Sequence, residues 1–292
     1  MFPGVSAIPT RRIPVVVTLL ALLTLTACAV RPGHTTHARQ ITMAQPTPSA
    51  PVPTPSASPS ASASPSASAK PAFKSLAWYV AQVPTFPEVP LPQPVALPAT
   101  GSAPFWHRLP TDQKVAFITI DDGGLARPPG VIDFIWEARI PVTMFLNSPA
   151  AAEHTDYFRQ IEAVGGIVEN HTITHTSLAG RSYDYQKQEI CGAADKLEGL
   201  FGKRPTLFRP PFGEHDSTTL QAAHDCGAKA VLHWTETVHE GKVRYQTPEK
   251  VVQPGDVLLM HFRPALMDDL LAALKAIHRA GLTPALLEQY VR

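Results

Sequence analysis

An α/β fold built on a parallel sheet is what this sequence predicts, and three observations predict it. From Val115 onward apolar, β-rich runs alternate with stretches of helical period, and repeated β-then-α units close up into a parallel sheet. With 292 residues, 44% hydrophobic and 17% charged, the chain holds one full-sized globular domain. Most of the 31 prolines fall before residue 111, so the globular part is the remainder.

The first strand is carried by Lys114-Val-Ala-Phe-Ile-Thr-Ile-Asp-Asp-Gly-Gly124, where Val115, Phe117, Ile118, Thr119 and Ile120 suit a buried position. It delivers Asp121 and Asp122 onto a glycine pair with the freedom in φ that a sharp exit needs. In α/β folds sites are built at the carboxyl ends of strands, so two acids there are a candidate acid/base or metal pair. Taken alone, Asp-Asp-Gly after a strand is more often just a turn.

Val131 to Ala138 then reads as helix, Pro141 to Leu146 as strand and Tyr157 to Val164 as helix. Ile167-Val168 is a strand leading into Asn170-His-Thr-Ile-Thr-His175, and Tyr185 to Phe201 has apolar residues at helical spacing. Pro205 to Arg209 follows, with Asp216 or Ser217 capping a helix through Ala223 and Lys229 to Trp234 a strand after it. Asp256 to His261 is a further strand, and Leu266 to Arg279 an amphipathic helix. The candidate site residues thus fall at strand ends on one face.

The amino-terminal third is of another kind. Arg11-Arg12 precedes the apolar run Val15 to Leu25, which ends in Leu25-Thr-Ala-Cys28. A basic pair, a short apolar core and small residues make a secretion signal, too short to read as a spanning helix. Residues 45 to 70 are Pro-, Ser- and Ala-rich with almost no charge and cannot bury a core. They predict a disordered tether, assigned here to 28–72, with a reach on the order of 100 Å, or equally a passive or glycosylated stalk. Between Phe73 and Pro110 the aromatic residues Trp78, Tyr79, Phe86 and Trp106 alternate with prolines, which predicts an irregular segment lying on the domain surface. The globular domain is expected over 111–292. A formal net charge of +1 without a Lys/Arg block argues against a nucleic-acid or polyanion partner.

Four stretches in chain order carry a resemblance. Thr119-Ile-Asp-Asp-Gly123, His171-Thr-Ile-Thr-His175, Arg209-Pro-Pro-Phe212 and Val257-Leu-Leu-Met-His261 match T-F-D-D-G, H-[ST]-x-x-H, R-x-P-[YF] and [IV]-x-L-x-H. Over residues 104 to 292 the chain resembles the polysaccharide deacetylase family, also called carbohydrate esterase family 4 or the NodB homology domain. The resemblance implies a distorted, incomplete (β/α) barrel. Leu25-Thr-Ala-Cys28 resembles the bacterial lipobox, which implies cleavage after residue 27 and lipid on Cys28. The expected location is then the outer face of the cell membrane, or secretion if Cys28 carries no lipid. Export through the general or the twin-arginine route is left open, Pro14 fitting the latter badly.

His171 and His175 are spaced so that one turn or tight loop can aim both imidazoles the same way, with Asp122 completing a three-ligand set. Three protein ligands leave a position open, the mark of a catalytic divalent site. Zn²⁺ suits two His and a carboxylate, as do cobalt, nickel or iron. The resemblance implies that Asp122 is a ligand, Asp121 the general base, Arg209 its orienting partner, the Phe212 amide a donor to the oxyanion and groove, and His261 the general acid. The implied substrate is an extracellular N-acetylated glycan, peptidoglycan before chitin-like or O-acetylated ones, handled by a monomer. A different class is a non-catalytic wall-binding lipoprotein.

One departure motivates that last reading. Where the family often carries Asp-x-x-Asp-Trp to assist the acid histidine, this chain has Trp234-Thr-Glu-Thr-Val-His-Glu-Gly241, with Thr237 and Glu240 near the expected acids. Glu236 is the candidate substitute. Phe145, and Gly124 where a Pro is common, are smaller departures. Cys191 and Cys226 suggest a disulfide in an oxidising compartment, two buried thiols being the alternative.

Overall fold

The structure, a computed structural model, describes residues 70–291. The signal-like run, Cys28 and the tether up to residue 69 lie outside them. In chain order the elements begin with α1 (Leu76–Ala81), β1 (Phe105–Trp106), β2 (Val115–Asp122), α2 (Val131–Glu137) and β3 (Val142–Leu146). Then come α3 (Ser148–Glu153), α4 (Thr155–Ala163), β4 (Ile167–Asn170), α5 (Tyr183–Phe201), β5 (Leu207–Phe208) and α6 (Ser217–Asp225). The last are β6 (Ala230–Leu232), β7 (Glu236–His239), β8 (Lys242–Tyr245), β9 (Val257–His261), α7 (Leu266–Arg279) and β10 (Thr283–Ala285).

The strands order as β1-β6-β5-β4-β3-β2-β9-β7-β8, with β10 paired to the base of β2. Among the strand pairs of the described residues, only the hairpin β7–β8 is antiparallel. The sheet curls without closing, which is the distorted, incomplete (β/α) barrel that the sequence motifs implied. Period-two alternation divides its two faces. Ile118, Ile120 and Met144 pack outward with Phe134, Phe158 and Leu274 under the helices, while Val115, Phe117, Phe145 and Leu207 pack inward on Tyr290.

Register then builds the upper layer. Asp122 pairs with Leu146, Leu146 with Asn170, Asn170 with Phe208, Phe208 with Val231 and Val231 with Phe105. His261 stands beside Asp121. Every candidate catalytic residue is therefore within a residue or a short loop of one row at the carboxyl ends of parallel strands.

The stretch expected to be irregular between 73 and 110 is only partly so. Ser75 caps α1 by accepting from the Trp78 amide (3.2 Å), and Tyr79 buries against Phe134 while its hydroxyl donates to Asp268 (2.8 Å). Its far end adds β1 to the sheet beside β6. Asp216 is the α6 cap, with a reciprocal bond to Thr219. Cys191 and Cys226 form a disulfide joining α5 to the end of α6. Among the described residues no helix is long and apolar enough to cross a membrane.

Candidate active site

Asp121 projects into the barrel below the surface, 2% exposed, in line with Thr119 on the same face of β2. Arg209, fully buried at the end of β5, donates from Nη1 to Asp121 Oδ1 (2.6 Å) and Thr119 Oγ1 (2.8 Å), and from Nη2 to the His233 carbonyl (3.0 Å). Its guanidinium lies 4.2 Å from the centre of the Phe145 ring and 5.9 Å from that of Trp234. A planar fork held between two aromatic rings is pre-organised, and it fixes one carboxylate oxygen of Asp121. The other oxygen, Oδ2, is 3.7 Å from His171 Nε2. Burial raises the Asp121 pKa against the opposing charge of Arg209, which moves a carboxylate toward the range of a working base.

Asp122, His171 and His175 form a cluster whose donor atoms all lie within 4.8 Å of one another. Asp122 Oδ1 stands 3.2 Å from His175 Nε2 and 3.6 Å from His171 Nε2. Donors about 2.0–2.1 Å from zinc at tetrahedral angles would stand roughly 3.3 Å apart, so the set fits a divalent ion. Two further observations support the fit. Asp122 Oδ1 is buried and satisfied by no hydrogen-bond donor. His171 Nδ1 is within 2.7 Å of the Arg209 carbonyl, so it carries the proton and leaves Nε2 as a lone-pair donor toward Asp122. Burial drives the His171 pKa down to about 3, keeping that ring neutral. The close contact with Asp122 raises that of His175. For Asp122 burial alone would raise the pKa, but the histidines around it outweigh burial and hold it down.

The backbone is bent to make this cluster. Asp122 (φ +77°), Thr172 (+72°), His175 (+55°) and Phe212 (+61°) are half of the eight non-glycine residues with positive φ among those described. Such conformations cost of order 1–3 kcal/mol each and collect where surrounding structure enforces them for function. Asn147 Nδ2 donates to the His171 carbonyl (2.7 Å), one of the anchors that hold it.

His261 closes the far side, its Nε2 4.0 Å from Asp122 Oδ2. Burial lowers its pKa, while Asp121 and Asp122 pull the other way. Phe212 is 63% exposed, its ring edge-on to His175 at 4.8 Å, so its apolar face lines the rim.

A family model described as polysaccharide deacetylase matches residues 108–231. An uncharacterized protein of Streptomyces coelicolor is 37% identical over 186 residues, covering 62% of this chain and 74% of its own length. The chain carries a domain of the polysaccharide deacetylase type. A Bacillus cereus relative named as a peptidoglycan-N-acetylglucosamine deacetylase is 28% identical over 160 residues, 53% of this chain and 58% of its own length. The chain thus spans little more than half of that relative. Among solved structures, a carbohydrate esterase family 4 pseudoenzyme from Bacillus anthracis aligns at a TM-score of 0.56 and 17% identity, covering 65% of this chain and 70% of that one, a likeness of fold.

Against that family pattern, one expectation fails. Glu236 does not assist His261: it pairs with Leu258 on β9, three residues below the histidine. Thr235 Oγ1 donates to it at 2.8 Å, and Asp256 helps raise its pKa to about 8, burial being the larger cause. Residues 236–241 are committed to the β7–β8 hairpin, with Glu240 and Gly241 in its turn at positive φ. The sequence reading also missed a shelf beyond Phe212. His233 packs over Gly213, where an added Cβ would lie 2.2 Å from its Nε2. His107 Nδ1 lies 3.0 Å from His233 Nδ1, and Phe105 stacks on His215 at 3.7 Å. Phe105 lies on β1, while His107, His215 and His233 lie in the segments that follow β1, β5 and β6, which strand pairing brings side by side.

Proposed function

We propose that this protein is a metal-dependent hydrolase that removes N-acetyl groups from an extracellular glycan, with peptidoglycan amino sugars the first candidate. The observation that carries the reading is the pairing of two unlike carboxylates: Asp121 locked to buried Arg209, and Asp122 with an unsatisfied oxygen facing two histidines. One is built to move a proton and the other to hold a cation. The peptidoglycan assignment draws on what the Bacillus cereus relative is named for.

Asp122, His171 and His175 would hold the ion. Zn²⁺ is the first choice and Co²⁺ or Ni²⁺ alternatives, and such an ion when bound supplies Lewis acidity to the acyl carbonyl and to water. The chain's own groups do the rest. Asp121, oriented by Arg209, takes the proton of the attacking water as its oxygen bonds to the acetyl carbon. The Phe212 amide donates to the oxyanion. His261 gives its proton to the sugar nitrogen as the C–N bond breaks, leaving acetate and a free amine. An amine departs poorly unless protonated, so an imidazole is suited to the acid's place.

The full reading places the enzyme outside the cell as a monomer held by lipid on Cys28, the tether giving it reach; this part rests on the sequence alone. A second reading, a wall-binding lipoprotein without turnover, is favoured by one observation: neither carboxylate of the 234–241 segment, Glu236 or Glu240, is among the charges acting on His261.

The test is acetate release by the purified full chain from N-acetylated peptidoglycan fragments, with Zn²⁺ or Co²⁺ and again with chelator. Chelator-sensitive release that disappears in Asp121→Asn is the expected result. Release only from chitin-like oligomers or O-acetylated glycans would move the substrate and keep the mechanism. No release from any of them by protein with metal bound would leave the binding reading.

A further inference from the structure

The loop carrying the two histidines is gripped by a carboxylate from a neighbouring helix. Glu189, on α5 and 5% exposed, accepts through Oε2 from the amides of Ile173 (3.1 Å) and Thr174 (2.8 Å). Those two residues lie between His171 and His175, flanked by the left-handed Thr172 and His175. Hydrogen bonds to a buried carboxylate are about twice as strong as neutral ones, so Glu189 supplies a main restraint on a strained turn.

The rest of α5 is shaped for the same contact. The Ile190 carbonyl accepts from Asn170 Nδ2 (2.8 Å), and Asn170 Oδ1 accepts from the Thr172 amide (2.9 Å). Gly192 lets the helix come close, since a Cβ there would meet Ile173 Cδ1 at 2.9 Å. The disulfide from Cys191 ties this turn of α5 to α6. Ile173 is half-buried and Thr174 exposed, so water can take over the two amides if Glu189 is lost. The loop would then relax while the domain keeps its core.

We propose that Glu189 is a positioning residue for the metal centre: its grip on the Ile173–Thr174 amides holds His175 in register with His171 and Asp122. It touches neither substrate nor the reacting atoms, and the proposal rests on the reading of Asp122, His171 and His175 as a divalent-metal site. Partners one step removed from metal ligands typically govern affinity by 10–100-fold.

The experiment measures Zn²⁺ affinity of the full chain by competition with a chromophoric chelator, and the visible spectrum of its Co²⁺ form. Glu189→Ala is expected to weaken Zn²⁺ binding by roughly 10–100-fold and to alter the Co²⁺ spectrum, with the metal-free melting midpoint nearly unchanged. Glu189→Gln keeps an oxygen acceptor and should recover most of the affinity. Wild-type affinity and an unchanged spectrum in Glu189→Ala would overturn the proposal. Should that variant not fold, Glu189→Asp, one methylene too short for the grip, decides on the same two readouts. Binding is read without turnover, so a protein with Glu189-dependent metal uptake and no acetate release would break the functional reading alone. A wild type that takes up no divalent ion would overturn both.

Discussion

At the scale of single residues, two adjacent acids are set in different surroundings by where the pleat sends them. Asp121 goes inward to Arg209, and Asp122 turns out at positive φ toward the histidines. Arg209 is costly to disturb, because its side chain is fully buried and three acceptors share its fork. Removing one partner of a buried ion pair leaves an uncompensated charge, which costs about 3–5 kcal/mol. Arg209→Met should therefore lower the denaturation free energy by that much, read in urea, and abolish acetate release besides. Arg209→Lys should not rescue activity, since one ammonium cannot reach Thr119, Asp121 and the His233 carbonyl together. A lysine variant with near wild-type release would refute the positioning role given to that fork.

At the scale of elements, the covalent link between α5 and the end of α6 makes a prediction of its own. Cys191 and Cys226 are 35 residues apart, and closing a loop of that length in the unfolded chain contributes about 4 kcal/mol. Unfolding curves with and without reductant should separate by about that amount, and coincident curves would show the bond to be dispensable. What was legible in the sequence follows the same division by element. Strands ending in Asp121-Asp122, at Asn170 before the histidines, and at His261 announce themselves, because a fully buried strand needs a continuous apolar run and its exit needs special residues. The short pieces do not. Helix α3 is Ser148-Pro-Ala-Ala-Ala-Glu153, too brief to show a period, and α1 hides among prolines with only Ser75 to mark its start. The β7–β8 hairpin alternates Val238, Val243 and Tyr245 with polar residues around a Glu-Gly turn. That alternation is a hairpin pattern, but in the sequence it is masked by charges placed near those of the family's acidic motif. The Phe105–His107–His215–His233 shelf was beyond reach, since pairing of β1 with β6 is set by long-range register and leaves no local mark.

At the scale of the whole molecule, lipid on Cys28 would make the membrane the domain's address, so Cys28→Ser should release the chain from the membrane fraction; retention there would end the anchor proposal. Solution pH tests the folded domain itself. Glu236 and Glu288 are buried carboxyls whose pKa values are pushed up, by burial first, to about 8 and about 7. An acid with a raised folded pKa binds more protons in the native than in the unfolded state between those two values, so stability falls as pH rises through the window. His171 acts in the opposite sense, its pKa being lowered by burial to about 3, but that gain is complete once pH passes the ordinary histidine range near 6.5. The window in which the two carboxyls act without that opposition is therefore about pH 6.5 to 8. Each fully shifted group removes at most about 1.4 kcal/mol per pH unit there. Urea midpoints of the metal-free protein should fall from pH 6.5 to 8.5 and level off above. Glu236→Gln, which keeps the hydrogen bond from Thr235 and cannot ionise beside Asp256, should flatten the upper part of the curve. A wild-type midpoint that does not fall across the window would mean that these carboxyls are ionised in the fold, with Arg108, whose guanidinium binds Asp256, offsetting the charge of Glu236.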